Sequence, residues 1–257
     1  MNQSEILIAF LTIVRREIRR FMRIWPQTLL PPAITMTLYF AIFGNLIGKR
    51  IGEMGGFSYM EYIVPGLIMM SVITNSYSNV SASFFSAKFQ HSVQELLVSP
   101  TPNWVILMGY VLGGVVRGLL VGLIVTILSL FFTQLQVENL FVTVLVVFLT
   151  AVLFSLGGFI NGLFAKSFDD VSIVPTFILT PLTYLGGVFY SIDLLSEVWQ
   201  NLSLLNPVLY MVNAFRFGIL GVSDINVSWA IFIIVSFIVA LFSCGLYLLD
   251  RGHGIRN

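Results

Sequence analysis

Charged residues are scarce in this sequence of 257 residues. Only 10% are Asp, Glu, Lys or Arg, whereas soluble proteins carry about 25%. Hydrophobic types make up 57% of the chain. A soluble domain of this size could not cover so much apolar surface. The composition therefore predicts an all-α membrane protein that crosses the bilayer several times.

Cysteine and recognisable catalytic motifs are also rare. The single cysteine, Cys244, excludes an intrachain disulfide. His91 and His253 lie far apart, with no companion carboxylate or thiol pattern, so we expect no metal site. The serine-hydrolase and zinc-protease motifs are missing from the apolar runs. We expect neither an enzyme nor a nucleic-acid-binding protein.

The chain lacks a phosphate-binding loop. Its nearest approach is the segment 44–50, which has one residue too few between its glycines and no Ser or Thr after Lys49. We therefore expect no nucleotide-binding domain and no cofactor in this chain. If ATP drives it, ATP and Mg²⁺ must lie on a separate subunit.

Acidic residues are missing from the middle of the apolar runs. All twelve Asp and Glu residues are placed in loops, in the termini or at the edges of these runs. Ion-coupled carriers usually need acids within their spans, so a secondary carrier is disfavoured. Arg117 is the one charge expected inside the membrane, where it costs about 2.5–3.5 kcal/mol. It could be structural or interfacial, or it could line a substrate cavity.

Long apolar runs dominate what is present. Each is long enough for a helix of about 20 residues to cross the bilayer. The six runs are 24–48, 62–87, 96–135, 139–165, 171–192 and 225–249. The third could instead be two crossings with a turn at Gly113-Gly114. Residues 198–215 could also cross, although their Gln, Asn and Pro residues argue against it.

The positive charges give these six spans an orientation. Nine Lys or Arg residues fall on one side and three on the other, which satisfies the positive-inside rule. The inner set is Arg15, Arg16, Arg19, Arg20, Arg23, Lys88, Lys166, Arg251 and Arg256, and the outer set is Lys49, Arg50 and Arg216. Both termini are thus expected in the cytoplasm, together with the polar segment 88–102.

Three further segments have patterns of their own. Residues 4–23 predict an amphipathic helix along the inner leaflet, serving as an anchor or as a docking site. Residues 88–102 have a helical apolar pattern that ends at two prolines, as expected of a handle for a soluble partner. Residues 192–220 predict two short helices, the second starting at Asn206-Pro207, in an outer re-entrant hairpin or a plain outer loop.

In their order and spacing these features resemble the membrane subunit of ABC-2 type exporters. The matching motifs are Glu95-Leu96-Leu97, Ser99-Pro100, the segment 185–190, Asn206-Pro207 followed by Tyr210, and Phe215-Arg216. The resemblance covers nearly the whole chain, as one transmembrane domain over 1–257. It is closest to compact permeases of the bacterial inner membrane.

The resemblance implies roles for particular residues. A coupling helix at about 89–97 would carry Phe89, His91, Gln94, Glu95 and Leu96 to an ATPase subunit. An interfacial helix would carry Arg15, Arg16, Arg19, Arg20 and Arg23. The outer gate would include Gly186, Phe189, Tyr190, Pro207, Tyr210 and Arg216. Polar positions that could line a pathway, or equally join helices, are Tyr77, Asn79, Thr183 and Tyr184, with Arg117.

The resemblance also implies a mechanism. Two copies of the chain would form the pathway, and two copies of a separate ABC ATPase would supply the energy. The spans lack acids and carry many Phe, Met, Ser and Asn residues, which favours an amphiphilic, lipid-like, drug-like or glycoconjugate substrate. The alternatives are a gradient-driven carrier and a membrane scaffold that transports nothing.

Overall fold

The structure, a computed structural model, describes residues 2–252, and helices account for most of that length. Arg256, which the charge count placed in the cytoplasm, lies outside the described residues, as does His253. The side chain of Lys49 is outside them as well.

Twelve α-helices are present in the described part of the chain. They are α1 Gln3–Arg23, α2 Trp25–Tyr39, α3 Gly48–Ile51, α4 Tyr59–Phe89, α5 Ser92–Val98, α6 Asn103–Ser129, α7 Leu140–Phe164, α8 Phe168–Val174, α9 Thr180–Leu185, α10 Glu197–Leu204, α11 Pro207–Leu220 and α12 Val227–Arg251. π-helical segments at Phe40–Ile47 and Pro175–Leu179 join α2 to α3 and α8 to α9, and a 3₁₀ turn covers Ile192–Leu194.

A small hairpin leads into the longest helix. Strands β1 Glu53–Met54 and β2 Phe57–Ser58 pair antiparallel across Gly55 and Gly56, whose φ angles are 61° and 83°. Two consecutive positive φ values match a tight two-residue hairpin turn, and glycine adopts them without strain. Ser58 then caps α4 by accepting from the Glu61 N–H, while the Glu61 carboxylate accepts from the Ser58 N–H.

Helix α4 is the centre of the bundle. Its 31 residues span about 45 Å at 1.5 Å per residue. Within it only Thr74, Ala82 and the terminal Phe89 are exposed. The remaining positions pack against α6, α7, α11 and the π segments, so α4 connects the two ends of the molecule.

Glycines on α6 allow the close approach to α4. Gly114, Gly118 and Gly122 are four residues apart, and a Cβ atom at any of them would come within 2.7 Å of an α4 side-chain atom. Small residues at this spacing let helix backbones approach in a membrane protein. The turn considered at Gly113-Gly114 is therefore wrong, because α6 runs unbroken through both glycines.

Glycines also allow close approach at the neighbouring helix contacts, between α7 and α4 and between α6 and α1. On α7, a Cβ at Gly162 would lie 2.8 Å from the Ser81 carbonyl oxygen of α4. On the other face of α6, Gly109 and Gly113 receive the α1 side chains of Ile13 and Glu17. Thus α1 lies alongside the first half of α6 as part of the bundle.

Within residues 2–252, three helices are long and apolar enough to cross a membrane: α6, α7 and α12. The pair α10 and α11, bent by 90°, would make a fourth if it formed one span. The predicted third span begins at α6 rather than at residue 96, because residues 99–102 are not helical and separate α5 from α6. The other expected crossings, at 24–48, 62–87 and 171–192, are helical over most of their length and stay predictions as spans.

The region 192–220 folds partly as expected. The helix predicted from Ile192 begins instead at Glu197, because Leu195 and Ser196 are extended. The second helix matches the prediction: the Asn206 side chain accepts from the Val208 N–H, and Pro207 takes the first position. The helix ends at Gly221, in the left-handed region with φ 74°.

Candidate functional site: the α5 face and two arginine centres

The short helix α5 presents one exposed face. His91, at its start, has a φ of 60°, which reverses the chain after α4. Val93 is 1% exposed and anchors α5 to the bundle. The fully exposed positions are His91, Gln94, Glu95 and Val98, whose spacing of three and four residues places them on one side.

Two residues expected on this helix differ in position. Phe89 belongs to the last turn of α4, where its ring lies 5.4 Å from that of Phe168 and remains 62% exposed. The helix begins at Ser92 rather than at Phe89 because of the left-handed residue between them. Leu96 packs against the core instead of facing outward.

Lys88 joins the ends of two helices beside α5. Its Nζ donates to the carbonyl oxygens of Leu163 and Ala165, at 2.7 and 2.5 Å. These carbonyls belong to the C-terminal end of α7, where a cation is favoured. Burial lowers the pKa of Lys88, and the nearby Asp170 carboxylate opposes that shift.

A groove of about 1340 Å³ opens between α5 and the ends of α7 and α12. Charged side chains of both signs line it, among them Lys88, Lys166 and Asp250. At the neighbouring turn, the Lys166 backbone N–H and the Ser167 hydroxyl hold the pKa of Asp170 below its usual range. The groove can thus receive a polar surface with a few apolar side chains.

At the other end of α4, Arg216 of α11 is fully buried. Its Nη2 donates to the Gly187 carbonyl oxygen at 2.6 Å, and its Nε donates to the Tyr62 carbonyl oxygen at 3.4 Å. The guanidinium also lies 4.0 Å from the centre of the Tyr62 ring. Arg216, which the charge count assigned to the outer side, thus connects α4, α11 and the loop after α9.

The two expected gate motifs meet at this arginine. Gly187 has a φ of 70°, and Gly186 lies so close to Val208 that an added Cβ would come within 2.7 Å of it. The Tyr210 hydroxyl donates to the Leu204 carbonyl at 2.7 Å, which closes the bend between α10 and α11. Pro207 begins α11, while Phe189 and Tyr190 are half-buried.

An arginine cluster lies where α1, α4 and α6 meet. The Glu17 carboxylate, 1% exposed, accepts from the side chains of Arg16, Arg20 and Ser83. Arg20 and Arg117 both donate to Asn79 Oδ1, at 2.9 and 3.5 Å. The expectation that Arg117 is the one buried charge is wrong, since Glu17 and Arg216 are more buried.

Glu17 was not among the site residues expected from the sequence, although its position on α1 gave a signal of burial. It lies four residues after Ile13 and four before Phe21, and these three are the buried positions of α1. An acidic residue at the spacing of the apolar face predicts a buried partner for an arginine. Of the five arginines expected at the interface, Arg16 and Arg20 donate hydrogen bonds to the bundle, although Arg16 stays partly in the open. The remaining three, Arg15, Arg19 and Arg23, are exposed.

The other expected pathway residues separate into two groups. Tyr77 is 4% exposed against the glycines of α7, and Thr183 is 2% exposed, donating to the Thr180 carbonyl. Tyr77 therefore has the contacts of a residue that joins helices, whereas the Thr183 bond stays within α9. Tyr184 is 41% exposed and stacks on Phe189, with the ring centres 5.7 Å apart.

Comparison with known proteins identifies the family of this chain. The family model described as "ABC-2 type transporter" matches residues 8–220. The chain is 60% identical to "Inner membrane transport permease YadH" of Escherichia coli (strain K12) over 97% of its length and 98% of that protein. It is 22% identical to "Nodulation protein J" of Neorhizobium galegae, over 91% of this chain and 92% of the relative. The resemblance seen in the sequence is confirmed, and these matches support a transport permease of the bacterial inner membrane. The chain belongs to the ABC-2 type transporter family.

Proposed function

We propose that this chain is the permease subunit of an ATP-driven exporter, working as a homodimer with two copies of a separate ABC ATPase. ATP and Mg²⁺ are bound by that ATPase. The observation that carries the proposal is the exposed face of α5, formed by His91, Gln94, Glu95 and Val98. Val98 is 87% exposed, as expected of a side chain that another protein covers.

The attachment of α5 supports its use as a lever. Lys88 joins the end of α4 to the end of α7, and Val93 fixes α5 against the bundle. A push on the exposed face is then transmitted to α4, the helix with most contacts to the rest of the molecule. ATP-driven closure of the ATPase pair would shift each bundle against its mate as a rigid body.

In the membrane, the six spans of this proposal are α2–α3, α4, α6, α7, α8–α9 and α12. Both termini are cytoplasmic, as the distribution of Lys and Arg favours. Helix α1 lies at the inner leaflet, with Arg15, Arg19 and Arg23 exposed toward the headgroups.

Helices α10 and α11 form the re-entrant hairpin at the outer end. Non-helical backbone at membrane depth needs shielding by protein. The contacts of Arg216 with Gly187 and Tyr62 supply this shielding at the bend after α9. A gate built in this way can open only when those contacts are exchanged for others.

The substrate in this proposal is an amphiphile. Tyr39, Phe43, Tyr184 and Phe189 form an aromatic group on one side of the bundle, with ring centres 5.0–6.1 Å apart. The arginine cluster supplies polar contacts in the same subunit. Such a combination suits a molecule with an apolar body and a polar head. Export follows if that molecule binds the inward-open form more tightly than the outward-open form.

The test is association with the ATPase. The chain would be purified together with its candidate ABC ATPase, and ATP hydrolysis would be measured in proteoliposomes. We expect the double variant His91→Ala/Glu95→Ala to lose association or stimulated hydrolysis by about tenfold, because it removes two polar contacts of the docking face.

The matched control is Arg50→Ala. Arg50 is an exposed residue of α3, which precedes α4 and lies at the end of that helix opposite to α5. The substitution should leave association unchanged. Unchanged association and hydrolysis in the double variant would remove α5 from the mechanism. Transport that persists without any ATPase and stops when the proton gradient collapses would instead identify a gradient-driven carrier.

A further inference from the structure

The arginine cluster holds more positive charge than its own acid can neutralise. Arg16 and Arg20 donate to the Glu17 carboxylate, and Arg20 and Arg117 both donate to the side chain of Asn79, so three guanidinium groups share one acid. That carboxylate already accepts from Arg16, Arg20 and Ser83, at 3.3, 3.3 and 2.5 Å. Arg117 donates to other acceptors and not to this carboxylate.

Arg117 has only uncharged partners in the described part of the chain. Its nitrogens donate to Asn75 Oδ1 at 3.2 Å, to the Thr28 carbonyl at 3.4 Å and to Asn79 Oδ1 at 3.5 Å. These bonds are long for a guanidinium, whose charge-assisted bonds to anions measure about 2.7–2.9 Å. Since Arg20 donates to the same Asn79 oxygen, two cations converge on one neutral acceptor.

Two buried donors at this point are unused. Asn79 is 0% exposed, and its Nδ2 has no hydrogen-bond partner among the described residues. Arg117 Nε is equally buried and equally unpartnered within them. A buried donor that makes no hydrogen bond costs about 1–3 kcal/mol of stability. These two unpaired donors lie on or beside the guanidinium groups of Arg20 and Arg117, whose positive charge is not fully neutralised. Such a combination is suited to binding an anion.

The position of the site distinguishes it from the membrane surface. Arg117 lies about 20 Å along α6 from its first residue, at 1.5 Å per residue. On α4, Asn75 and Asn79 are neighbours in sequence of Thr74 and Ser78, and Thr74, Ser78 and Ala82 are small and at least partly exposed. We expect a ligand to approach the buried Asn79 from this side.

The charge of the site selects the anion. Three arginines and one glutamate leave two positive charges. A phosphate monoester carries about −1.5 to −2 at neutral pH and offers three acceptor oxygens, whereas a carboxylate carries one charge. The planar arginine fork also matches phosphate geometry.

We propose that Arg20, Arg117 and Asn79 bind the phosphate headgroup of the amphiphile that this permease carries. This assignment rests on the proposed transport function, and it narrows the substrate class to phosphate-bearing amphiphiles. The same headgroup chemistry also occurs in the phospholipids of the bilayer, so the experiment has to separate cargo from resident lipid.

The experiment measures binding to the purified full-length chain in a neutral detergent, with dodecyl phosphate as the probe. Isothermal titration and thermal unfolding report the binding, and inorganic phosphate and dodecanoate are the comparison ligands. We expect dodecyl phosphate to bind and to raise Tm. Both Arg117→Gln and Asn79→Ala should weaken binding about tenfold or more, because each removes charge-assisted or direct bonds to the phosphate.

Arg15→Gln is the matched control, because Arg15 is exposed on the same helix as Arg20. It should bind the probe as the wild type does. If Arg117→Gln fails to fold, Arg117→Lys keeps the charge and loses the fork, and it should bind several-fold more weakly than wild type. Equal binding by wild type and the folded Arg117 and Asn79 variants would overturn the proposal.

Three further results have defined meanings. Inorganic phosphate binding as tightly as dodecyl phosphate would show a site for a free anion and overturn the amphiphile assignment. Phosphatidylglycerol displacing the probe at equal concentration would assign the site to bilayer lipid and overturn the cargo assignment. Loss of probe binding in Arg117→Gln, with ATPase association intact, would support the phosphate site. Failure of the wild-type chain to associate with the ATPase would refute the proposed transport function, independently of the phosphate site.

Discussion

The guanidinium group of Arg216 lies 4.0 Å from the centre of the Tyr62 ring and bonds to the Tyr62 backbone carbonyl as well. This arrangement ties α11 to the beginning of α4. The third contact, to the Gly187 carbonyl at 2.6 Å, brings in the loop that follows α9. One buried cation thus holds together three segments that are distant in sequence.

Replacement of Arg216 should loosen this end of the bundle. Arg216→Met keeps much of the volume but leaves the Gly187 carbonyl without its donor, at a cost of about 1–3 kcal/mol. Arg216→Lys keeps the charge and loses the planar contact with Tyr62, so it should be intermediate or as harmful. Thermal unfolding in detergent measures the effect.

The control for this prediction is Arg50→Lys, at an exposed position of α3. Its Tm should match the wild type. A wild-type Tm in Arg216→Met would show that the buried arginine does not hold the α10–α11 region in place.

Adjacent glycines of α7 provide a test of the helix packing. A Cβ at Gly158 would lie close to the backbone oxygen of Tyr77 on α4, which cannot move away cheaply. At Gly157 the nearest atom is 3.5 Å away, in the Tyr77 ring, which is ordinary contact. Gly158→Ala should therefore destabilise the fold by about 1–3 kcal/mol, as overpacking does, while Gly157→Ala should not.

Folded yield after detergent extraction and Tm would both report the difference between the two alanine variants. Equal behaviour would mean that α4 and α7 are further apart than described. A double variant with a smaller residue at Tyr77 would not rescue Gly158→Ala, because the obstructing atom belongs to the backbone.

Lys88 should control the rigidity of α5. Lys88→Met removes both bonds to the α7 carbonyls while keeping a similar length of side chain. Bonds from a charged donor are worth about 1.5–3 kcal/mol, so amide hydrogen exchange in α5 should speed up about tenfold. Lys166→Met, at an exposed neighbouring position, is the control. Unchanged exchange in Lys88→Met would place the rigidity of α5 elsewhere.

Sequence patterns predicted most of the helical architecture, because apolar runs and proline or glycine boundaries are local signals. The start of α11 at Asn206-Pro207 and its end at Gly221 followed from capping chemistry alone. The start of α5 did not, since the left-handed conformation of His91 depends on how α4 ends against α7. Histidine is enriched among non-glycine residues with positive φ, but such residues are uncommon, so the sequence alone does not single out His91.

The candidate sites were harder to predict because they depend on contacts between distant segments. Arg216 was expected on the outer side, but its three contacts, with α4 and with the loop after α9, could not be read from the sequence. Arg117 was recognised as unusual, but its convergence with Arg20 on Asn79 required the packing of three helices. The glycines of α6, read as a possible turn, become explicable only when α4 is beside them.

The most direct test of the coupling role of α5 is a site-specific photo-cross-link from this helix to the ATPase. A photoreactive residue would replace Gln94, which is exposed on the α5 face, in full-length chain assembled with its ATPase in proteoliposomes. The same residue at Gln200, on α10, is the control. We expect a cross-link to the ATPase from position 94 that changes with ATP, and none from position 200. No cross-link from position 94 in a complex that transports, or equal cross-linking from both positions, would contradict the coupling role of α5.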